Sequence, residues 1–401
     1  MQRRPIRVLR PGQVVLLVLC SILVACGTPA ATAPPATEPG LIEVTVAAVS
    51  PTPEDTPVPE GVLSPQDLTA FDFVIEKKIE AVPLAGLTLA IRWGENPAYI
   101  KGYGYADLAT AIPAAADTVY QIASLTKQFT AAAIMQLVEQ GRIGLDDPLS
   151  RFYPQAPETW QGVTVHQLLS HTSGIPDVGE RAPEEGGRAS VSSPSSVGEL
   201  IEALRDDELW FEPGTQFKYG NSGYRLLAGI IEEVTGNRAE AYFQAHLLEP
   251  LGLESTFACY TNYELMAQGY QIVDGSLQPI LFHDPAQAVG SSGLCSTAED
   301  LVAWQQALSG GRVVRPESYQ KMITPTELAG VGQVPYGYGL GVGQGVVAHG
   351  GSLPGFRAWM VYYPEEDLAL VILSNTDIPA SYSLDILGEV IAERILENPG
   401  P

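Results

Sequence analysis

Tyr120-Gln-Ile-Ala-Ser124-Leu-Thr-Lys127-Gln-Phe-Thr-Ala-Ala-Ala-Ile-Met-Gln-Leu-Val-Glu-Gln-Gly141 decides how the rest of the chain is read. After the serine, Phe129, Ala132, Ala133, Met135, Leu137 and Val138 recur at helical spacing and Gly141 is a natural stop, which predicts a helix with Ser124 at its N-terminus. A residue three positions on lies one turn later on the same face, roughly 5–6 Å away between Cβ atoms. The Lys127 amine therefore reaches the Ser124 hydroxyl, and a weak nucleophile has a base beside it. The same helix end offers unpaired N–H groups and partial positive charge to a developing acyl oxyanion. Taken alone, Ser-x-x-Lys also describes a helix cap next to a solvated lysine, so the elements around it must decide.

Towards the N-terminus, Arg3, Arg4, Arg7 and Arg10 precede an apolar run from Val14 to Ala25. That run is shorter than the roughly 20 residues of a membrane-spanning helix and reads as a signal peptide. Its end, Leu23-Val-Ala-Cys26-Gly27, resembles the lipobox of bacterial lipoproteins, which implies lipidation of Cys26. Residues 1–26 are thus expected to be a lipoprotein signal, and the protein to be exported and held at the cell envelope by a lipid anchor. Residues 27–63, rich in Pro, Ala, Thr and Glu, read as a disordered tether. One domain, 64–398, follows.

The chain of 401 residues carries a formal charge of −24, and no Lys/Arg-rich run interrupts it, so nucleic acid is excluded as a partner. Neither Cys259 nor Cys295 sits in a C-x-x-C, and the His residues form no metal-ligand array; His166 and His171 read as helix and loop polar groups. In an oxidising compartment the two cysteines could pair, but their spacing does not decide it. No cofactor is expected.

Ser64-Pro65 opens a helix, and Leu87–Trp93 and Ala98–Tyr103 form a hairpin about Gly94-Glu-Asn-Pro97. At the other end, Phe356–Tyr363 and Leu368–Leu373 read as strands and Ser383–Leu396 as a helix. The economical arrangement is α+β: one antiparallel sheet built from both chain ends, with terminal helices packed on it and a mostly helical region inserted between. Within the insert, Ser196-Val-Gly-Glu199 is a capping box and Thr297-Ala-Glu-Asp300 opens another helix. The polar stretch Asp177–Ser195 reads as a flap or rim, and a helix is expected from Arg225 to Thr235.

Two strings complete the pattern. In Lys218-Tyr219-Gly-Asn221, a phenol and an amide two apart on a turn can face one cleft, and a phenolate there would need a cation such as Lys127. In His349-Gly350-Gly351-Ser352, two glycines at a strand end let a substrate approach the backbone, and His349 could orient a carboxylate or carbonyl.

Ser124-x-x-Lys127, Tyr219-x-Asn221 and His349-x-Gly351, in that order, resemble the penicillin-recognising serine hydrolases, in the branch of class C β-lactamases, D-Ala-D-Ala carboxypeptidases, D-aminopeptidases and family VIII esterases. Leu168-Leu-Ser-His-Thr-Ser-Gly174, Phe211-Glu-Pro-Gly-Thr215, Pro250-Leu-Gly-Leu253 and Gly293-Leu-Cys-Ser-Thr297 also look like that branch, and the resemblance covers about residues 65–396. It implies a β-lactamase/transpeptidase-like fold and an acyl-enzyme on Ser124, with Lys127 as base, Tyr219 as proton shuttle and Asn221 on the substrate amide. It further implies an oxyanion hole from the N–H groups of Ser124 and Ser352, with His349 and Gly351 at the substrate. His349 stands where many members have Lys, and Gly350 where many have Thr or Ser, which weakens the grip on a substrate carboxylate. The expected activity is hydrolysis of a D-amino-acid peptide or an ester, on a small-molecule or peptide substrate, peptidoglycan among them. A class C type β-lactamase or a non-turnover penicillin-binding sensor is the alternative. The protein is expected to act as a monomer.

Overall fold

The computed structural model describes residues 65–178, 194–281, 288–379 and 383–397. The expected signal, Cys26, the tether and most of the expected rim lie outside the described residues.

A seven-stranded sheet is formed by β1 (Gly86–Trp93), β2 (Tyr99–Asp107), β3 (Ile112–Pro113), β4 (Gly341–Gly343), β5 (Val346–Leu353), β6 (Phe356–Tyr363) and β7 (Leu368–Ser374). Its order is β4-β5-β6-β7-β1-β2-β3 with antiparallel neighbours throughout, so the two ends of the chain meet where β1 lies against β7. Alternate side chains of β1 and β7 serve different cores. Leu87, Leu89, Leu370 and Ile372 face the terminal helices α1 (Pro65–Ala81) and α9 (Leu384–Glu397). Ala90, Val371 and Leu373 face the inserted helical region. A strand covered on both faces has no polar side, which is why Leu368-Ala-Leu-Val-Ile-Leu373 is unbroken apolar sequence.

The insert contains α2 (Thr126–Glu139), α3 (Val165–Leu169), α4 (Val197–Ala203), α5 (Ser222–Thr235), α6 (Ala239–Phe243), α7 (Ala298–Ser309) and α8 (Pro316–Met322). The apolar stripe of α2 understates its burial. Lys127, Gln128 and Thr130 are as inaccessible as Phe129, whose ring stacks on Trp304 of α7 at 3.9 Å. A helix with α5, α6 and α8 packed around it has no solvent face to keep polar.

Two local expectations shift. Ser196 accepts the Glu199 N–H at 3.2 Å, but the Glu199 carboxylate turns to the N–H and hydroxyl of Ser195, both at 2.7 Å, so the reciprocal half of the capping box slides back one residue. Helix α5 begins at Ser222, three residues before the expected Arg225. Cys259 and Cys295, left undecided by their spacing, form a disulfide.

Candidate active site

The turn that carries Ser124 is fastened before it is functional. Tyr120–Gln121 pairs antiparallel with Leu294–Ser296, which pairs on its other side with Phe257–Ala258 beside the disulfide. The Ile122 N–H donates to the Leu294 carbonyl at 3.1 Å, and the Leu294 N–H to Thr126 Oγ1 at 3.2 Å. Ala123 has φ +49°, a left-handed conformation that a residue with a Cβ adopts only under constraint. It reverses the chain so that Ser124 sits in a single 3-10 turn feeding α2, and no side-chain capping bond is made there.

Lys127 is wholly buried and its Nζ has three neighbours: Ser124 Oγ at 3.2 Å, Asn221 Oδ1 at 2.8 Å and the Ser291 carbonyl at 3.0 Å. Burial pulls its pKa down to about 7, against the opposing charge of Asp177. A neutral amine has two N–H bonds and one lone pair. Asn221 and Ser291 offer only acceptors, so they take both N–H bonds and the lone pair is left for the Ser124 hydroxyl. Asn221 does not cap α5 with its side chain; its N–H is held by the Asp177 carboxylate, and its NH2 group remains available. Asp177, expected on a polar rim, is instead buried beneath the site.

Tyr219 lines the same cleft, its ring centroid 4.7 Å from Lys127 Nζ. His171 holds it from both sides in sequence: the Lys218 N–H donates to the His171 carbonyl at 3.0 Å and the Gly220 N–H to Nδ1 at 3.4 Å. The His171 ring lies 4.4 Å from that of Tyr219, and burial, Lys127 and His349 hold its pKa well below the ordinary histidine range. Reading it as a loop polar group missed this role. The Leu-Leu-Ser-His string was the available signal. His166 bonds the Tyr338 hydroxyl at 2.7 Å and does not converge with His171 on a metal site.

On the facing side, β4 covers β5 only at Val346–Ala348, and His349, Gly350, Gly351 and Ser352 line a cleft of about 300 Å³ with Ser124 and Tyr219. His349 Nδ1 lies 2.7 Å from the Gly350 carbonyl and Nε2 3.0 Å from the Tyr336 hydroxyl. A carbonyl only accepts, so Nδ1 carries the proton, and the Tyr336 O–H donates to Nε2. Burial, reinforced by Lys127, lowers the His349 pKa to about 3. The ring is therefore neutral with both nitrogens engaged, and it presents no cation to a carboxylate. Tyr336 was not among the residues read from sequence. Gly351 also differs in purpose from the expectation: a Cβ there would stand 2.4 Å from the Ile122 carbonyl oxygen and 3.1 Å from Ala123 Cβ. What requires glycine is the protein's own nucleophile turn.

The structure thus brings together Ser124, Lys127, Tyr219, Asn221, His349, Gly351 and Ser352; Cys26 lies outside the described residues. A buried serine hydroxyl bonded to a lysine amine of lowered pKa, with a phenol ring against that amine, can activate the hydroxyl for attack on a carbonyl.

A family model described as Beta-lactamase matches residues 71–390. Protein flp of Staphylococcus aureus (strain MW2) is 29% identical over 325 residues, covering 76% of this chain and 62% of that protein. The octameric penicillin-binding protein homologue from Pyrococcus abyssi superposes with a TM-score of 0.72 at 31% identity, over 83% of this chain and 79% of that one. The D-amino acid amidase from Ochrobactrum anthropi SV3 gives a TM-score of 0.70 at 25% identity, over 83% of this chain and 98% of that one.

Proposed function

The chain belongs to the beta-lactamase family of serine hydrolases, and we propose that it cleaves a small amide or ester that carries no carboxylate, D-amino-acid amides foremost, through an acyl-enzyme on Ser124. Neutral Lys127 takes the Ser124 proton as Oγ attacks the carbonyl carbon. Tyr219 passes that proton to the leaving amine or alcohol, and water then releases the acyl group by the reverse relay. The Asn221 NH2 group holds the substrate's carbonyl side. The N–H groups of Ser124 and Ser352 receive the oxyanion, each such donor contributing roughly 3–4 kcal/mol.

The observation that carries the reading is the engaged, neutral His349. A carboxypeptidase or β-lactamase that anchors a substrate carboxylate gains most from a cation there, and an amide or ester needs none. Similarity to a D-amino acid amidase supports the same choice. A sensor that acylates without turnover would need the same base on the serine, so the lifetime of the adduct separates the two readings. The N-terminal sequence supports lipid anchoring through Cys26 at the cell envelope. The octameric relative weighs against the monomer expected from the sequence.

The test is intact-mass spectrometry during incubation with a D-amino-acid amide, D-Ala-D-Ala, a penicillin and a short-chain p-nitrophenyl ester, with Ser124→Ala alongside. A transient Ser124-dependent adduct with amide and ester, accompanied by product, is the expected result. Adducts that persist with every probe would sink turnover.

A further inference from the structure

Three rings of the cleft share one back. Phe217, Tyr219 and Tyr336 have their centroids 6.0, 4.4 and 4.8 Å from that of the buried His171, and all three line the cleft that holds Ser124, so the sides turned away from His171 form its wall. Phe217 is half-buried and belongs to neither hydrophobic core; its ring neighbours among the described residues are His171 and Tyr336, the latter at 5.7 Å. Core packing therefore does not account for an aromatic side chain at this place. Pro335, exposed beside Tyr336, continues the wall.

The wall stands at one end of the bond that reacts. Ser352, whose N–H receives the oxyanion, lies three residues beyond His349 on β5, about 10 Å at the strand rise. Tyr219 and Tyr336 stand at the His349 end, their centroids 6.1 and 5.8 Å from its ring. As the Ser124 ester forms, the bond from the carbonyl carbon to the leaving oxygen or nitrogen breaks, and that atom takes the proton that Tyr219 relays from Ser124. A group that receives its proton from Tyr219 must lie beside Tyr219, and the surfaces it then meets are Tyr336, Phe217 and His349. This wall carries no charge: Lys218 places its Nζ 3.3 Å from the centroid of Trp210, and the His349 ring is neutral with both nitrogens engaged. A ring placed roughly 4.5–7 Å from such neighbours gains beyond the area it buries.

We propose that Phe217, with Tyr336 and Pro335, forms an aryl-binding subsite for the leaving group, so that the preferred substrate is an ester or amide of a benzyl-type alcohol or amine. This deepens the hydrolase reading and rests on it for the direction of the bond. D-Alanine benzyl ester and D-alanine methyl ester give the same acyl-enzyme and release alcohols of similar acidity, so the ratio of their kcat/KM values reads the leaving-group contact alone. The benzyl ester should be favoured about tenfold, and the ratio should fall about threefold in Phe217→Leu, which keeps the apolar bulk outside both cores, and towards one in Phe217→Ala. Equal kcat/KM values, or a ratio indifferent to Phe217, would overturn the subsite and leave the hydrolase standing. Binding of the two esters is followed alongside by saturation-transfer NMR on the full chain carrying Ser124→Ala, with and without Phe217→Leu. Ring-selective binding that weakens with Phe217→Leu, in the absence of any hydrolysis by the parent chain, would stand for the subsite and against the acyl-enzyme. Neither binding nor hydrolysis would overturn both.

Discussion

Lys127 Nζ stands 3.2 Å from Ser124 Oγ while its two other neighbours are both acceptors, so only a neutral amine can accept the serine proton. This geometry joins with the lowered pKa of about 7 to fix a pH dependence.

Activity should rise with pH through an apparent pKa near 7 and then level, as Lys127 loses its proton. The group also leaves a mark on stability. Its folded pKa is depressed below the ordinary lysine value, so between about 7 and 10.5 the unfolded chain holds more protons than the native one. Stability from this group therefore grows with pH across that window, by up to about 1.4 kcal/mol per pH unit. Lys127→Met should lower kcat/KM roughly 10²–10⁴-fold and lose that slope. Urea unfolding of both proteins at pH 6.5 and 8.5 checks it. Parallel stability profiles would mean that Lys127 stays charged throughout.

His349 should make the enzyme indifferent to a substrate carboxylate. Burial keeps its pKa at about 3 and the Tyr336 hydroxyl occupies Nε2, so no pH between 5 and 9 turns it into a cation. The kcat/KM values for D-Ala-D-Ala and for its C-terminal amide should then lie within a few-fold of each other, with no preference for the acid appearing as pH falls. A tenfold preference for the free acid would show that a carboxylate anchor exists in the cleft after all.

What could be read from sequence follows the range of the contacts. Ser124 and Lys127 are three residues apart on one helix, where spacing alone sets distance. Asn221 reaches Lys127 across 94 residues and was legible only as a motif. The Ser291 carbonyl leaves no sequence signal, since every residue has one. Tyr336 on His349 and Asp177 on the Asn221 N–H depend on tertiary placement, and the latter was concealed in a polar stretch. The sheet was legible because β1, β6 and β7 carry strand composition over their whole lengths. Gly350 and Gly351 looked equivalent on the page; only the direction of the missing Cβ separates them.

The Cys259–Cys295 disulfide should matter to stability and to the site together. It closes a separation of 36 residues, for which the chain-entropy model gives about 4 kcal/mol. The strand it anchors, Leu294–Ser296, pairs with Tyr120–Gln121 just ahead of the nucleophile turn, and Ser291 lies inside the closed loop. The Cys259→Ala/Cys295→Ala chain should melt lower by thermal denaturation and lose kcat more than it raises KM. Unchanged kcat at a temperature well below the lowered Tm would confine the disulfide to stability.

Gly351→Ala offers the sharpest test of how the site is assembled. If the glycine served substrate approach, one methyl group would raise KM and leave the fold alone. The added Cβ instead meets the Ile122 carbonyl oxygen at 2.4 Å, a backbone atom that cannot swing aside as a flexible side chain would. Either β5 lifts away from the turn or the turn moves, and with it Ala123 at φ +49° and Ser124. Overpacking of this kind costs about 1–3 kcal/mol. The variant should therefore show a lowered Tm and a loss in kcat, because displacement separates Ser124 Oγ from Lys127 Nζ and from the Ser352 N–H on the same strand. Wild-type Tm and kcat with a raised KM would assign Gly351 to the substrate and overturn the packing argument.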